Sequence, residues 1–499
     1  MDAGGQSEAT GTRERVGLVL GPLLLALALV APAPGGLSEA GWRSAGVGLL
    51  MAVWWVTEAI PIPATALLPL ALFPVLGVAG IEDAAAPYAN PLIFLFLGGF
   101  LLALGMERWG LPRRIALTVV SAVGTRPEAV VGGFMVSAAF LSMWVSNTAT
   151  AMMMLPIGLS VLELVDRGAG EVGETGGGFG TALMLGIAYA CSIGGVATLI
   201  GTPPNAFLAG FFSETYGVEI TFVRWMAFGL PLAVVGLPVA WWVLTRWAFP
   251  SDLERLPGGR EHLAERRREL GPASPAERRV AAVFALVAAA WMGRPLLDDV
   301  APGISDAGIA VAGGLVLFLL PSGEEEGGAL LRWEDASRLP WGVLVLFGGG
   351  LSLASALQAT GVAGWLGQAT SGLAGTPMLV MVAVPAALVV LLTELTSNTA
   401  TAAAFLPVLA SVAVGAGQDP RMLAVPAAVA ASCAFMLPVA TPPNAIVYGS
   451  GKITVPQMAR AGVVLNVVFV VLLTLAARLL LPLVFGVQTG VVPGWATGG

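Results

Sequence analysis

Ser146-Asn147-Thr148-Ala149-Thr150 and Ser397-Asn398-Thr399-Ala400-Thr401 are the same five residues written twice in one chain of 499. A second repeated phrase follows each copy, Gly201-Thr202-Pro203-Pro204-Asn205 and Ala440-Thr441-Pro442-Pro443-Asn444. The Ser-Asn-Thr copies stand 251 residues apart and the Thr-Pro-Pro-Asn copies 239 apart, which marks a duplication of the whole molecule rather than a chance tetrapeptide. Hydroxyls and amides both donate and accept hydrogen bonds, and free backbone N–H groups at helix starts carry partial positive charge. Unwound carbonyls with Asn and Ser oxygens suit a hard cation such as Na+. Together the four phrases can hold an anion and cations side by side. All four interrupt apolar runs, and polar, irregular backbone survives at membrane depth only where it is buried in protein or lines a cavity. Matched breaks in two halves of a membrane chain point to its binding site.

The elements that carry these phrases are set by composition. Hydrophobic residues make up 57% of the chain and charged residues 11%, with a mean hydropathy of +0.85. Soluble domains carry about 25% charged residues, so most of this chain is solvated by lipid. Apolar stretches near the length of a membrane crossing recur throughout. The expected fold is an all-α polytopic membrane protein with eleven transmembrane helices and two re-entrant hairpins arranged as inverted repeats. No basic patch with interleaved aromatics points to nucleic acid.

In chain order, residues 1–42 hold a polar tail and a first apolar helix, which could also pass for a cleaved signal segment; a retained helix is the favoured reading. Residues 43–249 form the first repeat, with a helix pair broken at Pro61-Ile62-Pro63 and a hairpin over 127–165. Split at Ser-Asn-Thr, each hairpin arm is expected to be too short to cross about 30 Å of hydrocarbon. Residues 250–279, with Arg266-Arg267-Arg268, read as a charged cytoplasmic linker. The second repeat covers 280–487 with a hairpin over 377–414, and 488–499 is a C-terminal tail. With a cytoplasmic amino terminus, eleven crossings leave Arg43, Arg224, Arg294, Arg421 and Arg478 outside and the other 19 of the 24 Lys and Arg inside, as the positive-inside rule requires. The carboxyl terminus then lies outside. Five crossings per repeat invert the second copy, so the first hairpin enters from the cytoplasm and the second from outside.

Fixed positive charge is absent where an anion would bind. No Lys, Arg or His lies between Arg126 and Arg167, between Arg167 and Arg224, or between Arg338 and Arg421. A helix terminus offers only about half a charge, too little alone for a dianion, and isolated charge in hydrocarbon is costly. Co-bound cations would close the gap. Glu58 and Glu394 are intramembrane acids and functional candidates; Glu394, three residues before Ser397, could equally cap or pair structurally. Cys191 and Cys433 sit in apolar segments without metal partners, and His262 is a loop residue in the linker. With neither a nucleophile–base pair nor a metal cluster, an intramembrane enzyme is disfavoured. Met152-Met153-Met154 and the Trp residues read as packing and interface anchors.

Trp54-Trp55-Val56-Thr57-Glu58-Ala59-Ile60-Pro61, the run from Asn90 to Phe100 (Asn-Pro-Leu-Ile-Phe-Leu-Phe-Leu-Gly-Gly-Phe), both Ser-Asn-Thr phrases and both Pro-Pro-Asn breaks resemble the divalent anion/sodium symporter family, which includes sodium-dependent dicarboxylate and citrate carriers. The resemblance covers nearly the full length. It implies an elevator-type carrier, a homodimer in the cell (inner) membrane, that couples Na+ to uptake of a small anion without an organic cofactor. It places the substrate carboxylates on Ser146, Asn147, Thr148, Ser397, Asn398 and Thr399, with Thr202-Pro203 and Thr441-Pro442 closing the site. One sodium site maps to Ser142, Ser146, Asn147 and the Gly201 backbone, the other to Thr393, Thr396, Asn398 and the Ala440 backbone. Two intact Ser-Asn-Thr phrases suit a two-ended dicarboxylate such as succinate, fumarate or malate over sulfate, with citrate still open. A sodium-independent exchanger is the alternative.

Overall fold

The computed structural model describes residues 11–168, 178–251, 253–256, 265, 267–297, 302–324 and 328–497. His262, Arg266, Glu325, Glu326 and most of the Gly-rich 168–180 loop lie outside that set. Among the described residues the chain is helical, with a single isolated bridge between Pro321 and Ala329. The first half contains α1 (Thr12–Val30), α2 (Glu39–Thr57), α3 (Ile62–Thr65), α4 (Leu68–Leu76), α5 (Ile81–Ala85), α6 (Pro91–Arg108), α7 (Leu111–Ala122), α8 (Pro127–Ser142), α9 (Asn147–Gly168), α10 (Gly178–Gly195), α11 (Pro203–Tyr216) and α12 (Phe222–Trp242). The second contains α13 (Pro275–Leu297), α14 (Asp306–Leu319), α15 (Trp341–Ala359), α16 (Val362–Ala369), α17 (Met378–Thr393), α18 (Asn398–Gly415), α19 (Arg421–Ala430), α20 (Pro442–Gly449) and α21 (Val455–Phe485). Among the described residues, eight helical runs are long and apolar enough to cross a membrane, and several shorter apolar helices accompany them.

The duplication is legible in the backbone. Helices α7, α8 and α9 start at Leu111, Pro127 and Asn147; α16, α17 and α18 start at Val362, Met378 and Asn398, each 251 residues later. The same offset relates the left-handed glycines Gly110 and Gly361, and Gly124 and Gly375. Only a residue without a Cβ takes those backbone angles freely, so the same sharp turns recur ahead of both hairpins. Pro156 in α9 and Pro407 in α18 repeat the offset again.

Burial sorts the helices by their surroundings. Helix α10 is buried on every side. Helix α21 instead exposes Val463, Val467, Val471, Leu475, Leu479 and Leu483 every fourth residue, while Leu465, Phe469, Leu473 and Leu481 face inward. At 3.6 residues per turn these exposed positions wind slowly around the helix, and in a chain of this hydropathy that apolar strip meets lipid. Helix α1 packs along one face on α2: a Cβ on Gly17 would collide with the Thr57 side chain, and Trp54 Nε1 donates to the Gly17 carbonyl at 3.0 Å.

Two boundaries differ from the sequence reading. Helix α13 begins at Pro275, inside the expected 250–279 linker. Ser274 and Glu277 form a capping box, Glu277 N donating to Ser274 Oγ at 3.2 Å and Ser274 N to Glu277 Oε2 at 2.9 Å, with proline at the first helical position. Arg114 of α7 then grips Glu277 through Nε and Nη2, both at 2.9 Å. The hairpin arms also differ. Helices α8 and α17 have 16 residues each and are short, but α9 and α18 have 22 and 18. Length alone therefore leaves the second arms able to cross; the tips are held inside the molecule by the bonds they make there.

Candidate functional site

Each Ser-Asn-Thr phrase starts the second arm of its hairpin. Ser146 and Ser397 cap α9 and α18, accepting from Ala149 N at 3.3 Å and Ala400 N at 3.5 Å. A Ser at this position satisfies a helix-start N–H that would otherwise lack a partner. The next residue, Asn147 or Asn398, then faces a cluster of oxygens from the hairpin's first arm and the neighbouring broken helix.

In the first half the amide oxygen of Asn147 lies 2.5 Å from Ser142 Oγ, 3.1 Å from the Cys191 carbonyl and 3.2 Å from the Gly201 carbonyl. These four oxygens share one hydrogen, that of Ser142. Turned over, the amide brings its NH2 within donating distance of the other three; with its oxygen facing them, the four would make the oxygen donor set that small hard cations prefer. Helices α10 and α11 enclose the break 196–202 beside this cluster. Gly195 and Gly201 make the close approach possible: a Cβ on Gly201 would lie 2.4 Å from Gly195 O, and one on Gly195 2.6 Å from the Asn147 oxygen.

The second half repeats the chemistry with different parts. Asn398 Oδ1 accepts from Thr393 Oγ1 at 2.6 Å, and the same hydroxyl lies 2.9 Å from the Ala431 carbonyl. Three oxygens again share one hydrogen, so the donor set fits Na+ here too. The break 431–441 between α19 and α20 is held by Glu394, only 3% exposed. Its carboxylate accepts from Phe435 N (2.8 Å), Met436 N (2.9 Å), Leu437 N (2.9 Å) and Asn466 Nδ2 (2.7 Å). No ion pair to Glu394 exists among the described residues; backbone N–H groups and the Asn466 amide hold its carboxyl oxygens.

Both breaks are stapled by the asparagine of Thr-Pro-Pro-Asn. Asn205 Nδ2 donates to the carbonyls of Gly195, Val196 and Thr198, and Asn444 Nδ2 to those of Ala434 and Leu437. Gly195 and Ala434, like Thr198 and Leu437, are 239 residues apart, so one staple is built twice. The halves are then joined. Thr202 Oγ1 lies 3.1 Å from Ser432 Oγ, and Tyr189 OH of α10 donates to the Phe435 carbonyl at 2.7 Å. Helix α9 packs on α20, and α11 on α18, so each hairpin touches the other half's broken helix. The four phrases form one connected polar network.

The transmembrane region characteristic of sodium:sulfate symporters matches residues 13–486, spanning every element of that network. The chain belongs to the sodium:sulfate symporter family. It is 43% identical over 489 residues to the sodium-dependent dicarboxylate transporter SdcS of Staphylococcus saprophyticus, covering 97% of this chain and 94% of that one. It is also 43% identical over 483 residues to SdcS of Staphylococcus aureus strain MRSA252, covering 96% and 93%. Among solved structures, the Alcanivorax borkumensis YdaH transporter aligns with a TM-score of 0.59 at 15% identity over 93% of this chain and 98% of that one. Neisseria gonorrhoeae MtrF aligns at 0.56 and 13% identity, covering 94% and 95%. At those identities the likeness is one of fold. The matched relatives are transporters, which sets this symporter-family chain with carriers rather than enzymes.

Within the symporter's candidate site, Ser142, Asn147 and Gly201 come together, as do Thr393 and Asn398. Ser146 serves as a helix cap. Thr396 turns its hydroxyl to Leu392 O and Thr401 Oγ1. Thr441 caps α20, accepting from Asn444 N at 3.3 Å. Thr148 and Thr399 make no side-chain hydrogen bond among the described residues, which leaves both hydroxyls available. Pro203 and Pro442 open α11 and α20, and Ala440 is buried just ahead of the latter. Glu58 sits at the end of α2 with its side chain half exposed, 3.4 Å from Arg13, away from the network. Sequence reading did not single out Thr198, Ser432, Tyr189, Asn466 or the Cys191 and Ala431 carbonyls; none belongs to a repeated phrase.

Proposed function

We propose that the chain is a sodium-coupled symporter of C4-dicarboxylates such as succinate, fumarate and malate, working by an elevator-type alternating-access mechanism. The observation that carries this reading is the pair of hairpin-tip asparagines, Asn147 and Asn398, each set among hydroxyl and carbonyl oxygens and joined through the broken helices. Two Na+ ions in those clusters would supply the positive charge that no Lys, Arg or His side chain between residues 127 and 166 or 339 and 420 supplies. A dianion would then rest against Thr148 and Thr399, with the starts of α9 and α18 contributing their dipoles. Cations bound first would make anion binding favourable, and anion binding would hold the cations, which is the linkage symport needs. The names of the SdcS relatives support sodium and dicarboxylate as the solutes.

The wider arrangement belongs to the same reading. Counting α3–α4, α14 and the two broken helices as crossings, with α8–α9 and α17–α18 as re-entrant hairpins, makes eleven passes. The amino terminus is then cytoplasmic, the carboxyl terminus outside, and the repeats inverted in the cell (inner) membrane of a homodimer. The purified protein in proteoliposomes, given labelled succinate with and without an inward sodium gradient, tests the function directly. Accumulation that follows the sodium gradient is expected, with unlabelled fumarate and malate competing better than sulfate or citrate. Uptake indifferent to sodium but stimulated by internal succinate would replace symport with exchange.

A further inference from the structure

The two oxygen clusters are linked by very few atoms. Gly201, whose carbonyl faces Asn147, is followed by Thr202; Ala431, whose carbonyl faces Thr393, is followed by Ser432. The Thr202 and Ser432 hydroxyls meet at 3.1 Å, and the two residues are 2% and 1% exposed. Each hydroxyl therefore stands one peptide from an oxygen of its own cluster, at the margin of a helix break. Resting on the symport reading above, we propose that Thr202 and Ser432 are a positioning pair that couples the two sodium sites. Drawing the Gly201 carbonyl toward a cation turns the Thr202 peptide, and the hydroxyl bond passes that turn to Ser432 and the Ala431 carbonyl.

Three features make the link specific. The surroundings are dry, where a hydroxyl pair is electrostatically stronger than in water and costly to leave unmade. The Asn205 and Asn444 staples keep the rest of each break stiff, so displacement is not absorbed elsewhere. Of the hydrogen bonds between the two breaks, this one joins residues adjacent to both clusters, whereas Tyr189 reaches only Phe435, farther along the second break. The Ala431-Ser432 step repeats Cys191-Ser192 of the first half, 240 residues earlier, but the Ser192 hydroxyl has no hydrogen-bond partner among the described residues. A bond made once, between two copies of a duplicated site, lets each copy sense the other.

Sodium binding can be read without transport, as the rise in melting temperature of the purified protein with sodium, choline replacing it at constant ionic strength. The wild type should give a sigmoidal rise with a Hill coefficient well above 1. Ser432→Ala should bring the coefficient close to 1 and raise the half-saturating sodium concentration about fivefold, the low end of typical coupling factors. Ser432→Thr, which keeps the hydroxyl, should restore cooperativity. If Ser432→Ala does not accumulate, Ser432→Cys preserves volume with a much weaker hydrogen-bonding group and carries the same expectation. A Ser432→Ala protein with the wild-type Hill coefficient and half-point overturns the coupling role while leaving symport intact. A wild type whose melting temperature and succinate uptake both ignore sodium overturns symport, and the coupling with it.

Discussion

The two halves set their tip asparagines among hydroxyl and carbonyl oxygens by different means. In the first, the break 196–202 is short and tight. Gly195 and Gly201 nearly touch, Thr198 Oγ1 donates to the Met143 carbonyl at the hairpin tip at 2.5 Å, and Trp225 Nε1 donates to the Val196 carbonyl. The tip itself is sealed by Trp144, which stacks on Phe222 and meets Phe284 edge-on. In the second, the break 431–441 is longer, and Ala434 and Ala440 stand where the first half has Gly195 and Gly201. Close backbone contact is then unavailable, and more N–H groups lose helical partners. Glu394, at the position of Met143, collects them. Its tip neighbour Leu395 is 58% exposed. A tight break can be closed by glycine and one hydroxyl; a wide one needs a carboxylate with several acceptor sites.

That difference can be broken from the second half first. Glu394→Leu should strand Met436 N, Leu437 N and Asn466 Nδ2 in a dry interior, a loss on the order of 5 kcal/mol at about 1–3 kcal/mol per donor. The expected result is no monodisperse protein by fluorescence-detection chromatography. Met143→Leu at the matched position should cost less than about 1.5 kcal/mol. Equal effects at the two positions would mean that the carboxylate is not the brace of the second break.

The staples come next. Asn205→Ala and Asn444→Ala each remove an amide with two N–H donors, so melting temperature should fall for both, a loss of about 2 kcal/mol. A smaller effect follows at the clusters. Asn147→Ala and Asn398→Ala should each raise both the sodium half-saturation and the succinate KM roughly tenfold, about 1.4 kcal/mol. Normal transport with unchanged sodium dependence in either variant would remove that amide from the shared site. Smallest of all, Thr198→Val should cost about 1 kcal/mol of stability, seen as a shift of a few degrees.

Much of this was legible before any coordinates. The repeated phrases located the hairpin tips and breaks because a duplicated gene keeps its spacing, and the 251-residue offset reappears in helix starts and left-handed glycines. The hairpin residues Ser142, Asn147, Thr393 and Asn398 fell together because each pair lies five residues apart across one tight turn. Where the reading left two options, contacts decided. Glu394 proved to be a structural acceptor and Glu58 a surface partner of Arg13, although the two are indistinguishable as lone acids in apolar runs. The second hairpin arms end close to the expected 165 and 414, but at 22 and 18 residues they are not too short to cross, because helix runs unbroken from the tip asparagine to the end of each arm.

Composition and repetition thus determined, without any fold, that the chain is a membrane helix protein in two copies and where its polar breaks lie, since both depend on residue type and spacing alone. Which backbone carbonyls face the asparagines, which half needs a carboxylate, and that Thr202 meets Ser432 across 230 residues were decided only by tertiary structure. Carbonyls carry no sequence signature, and a contact between unrelated positions exists only once the two halves have packed.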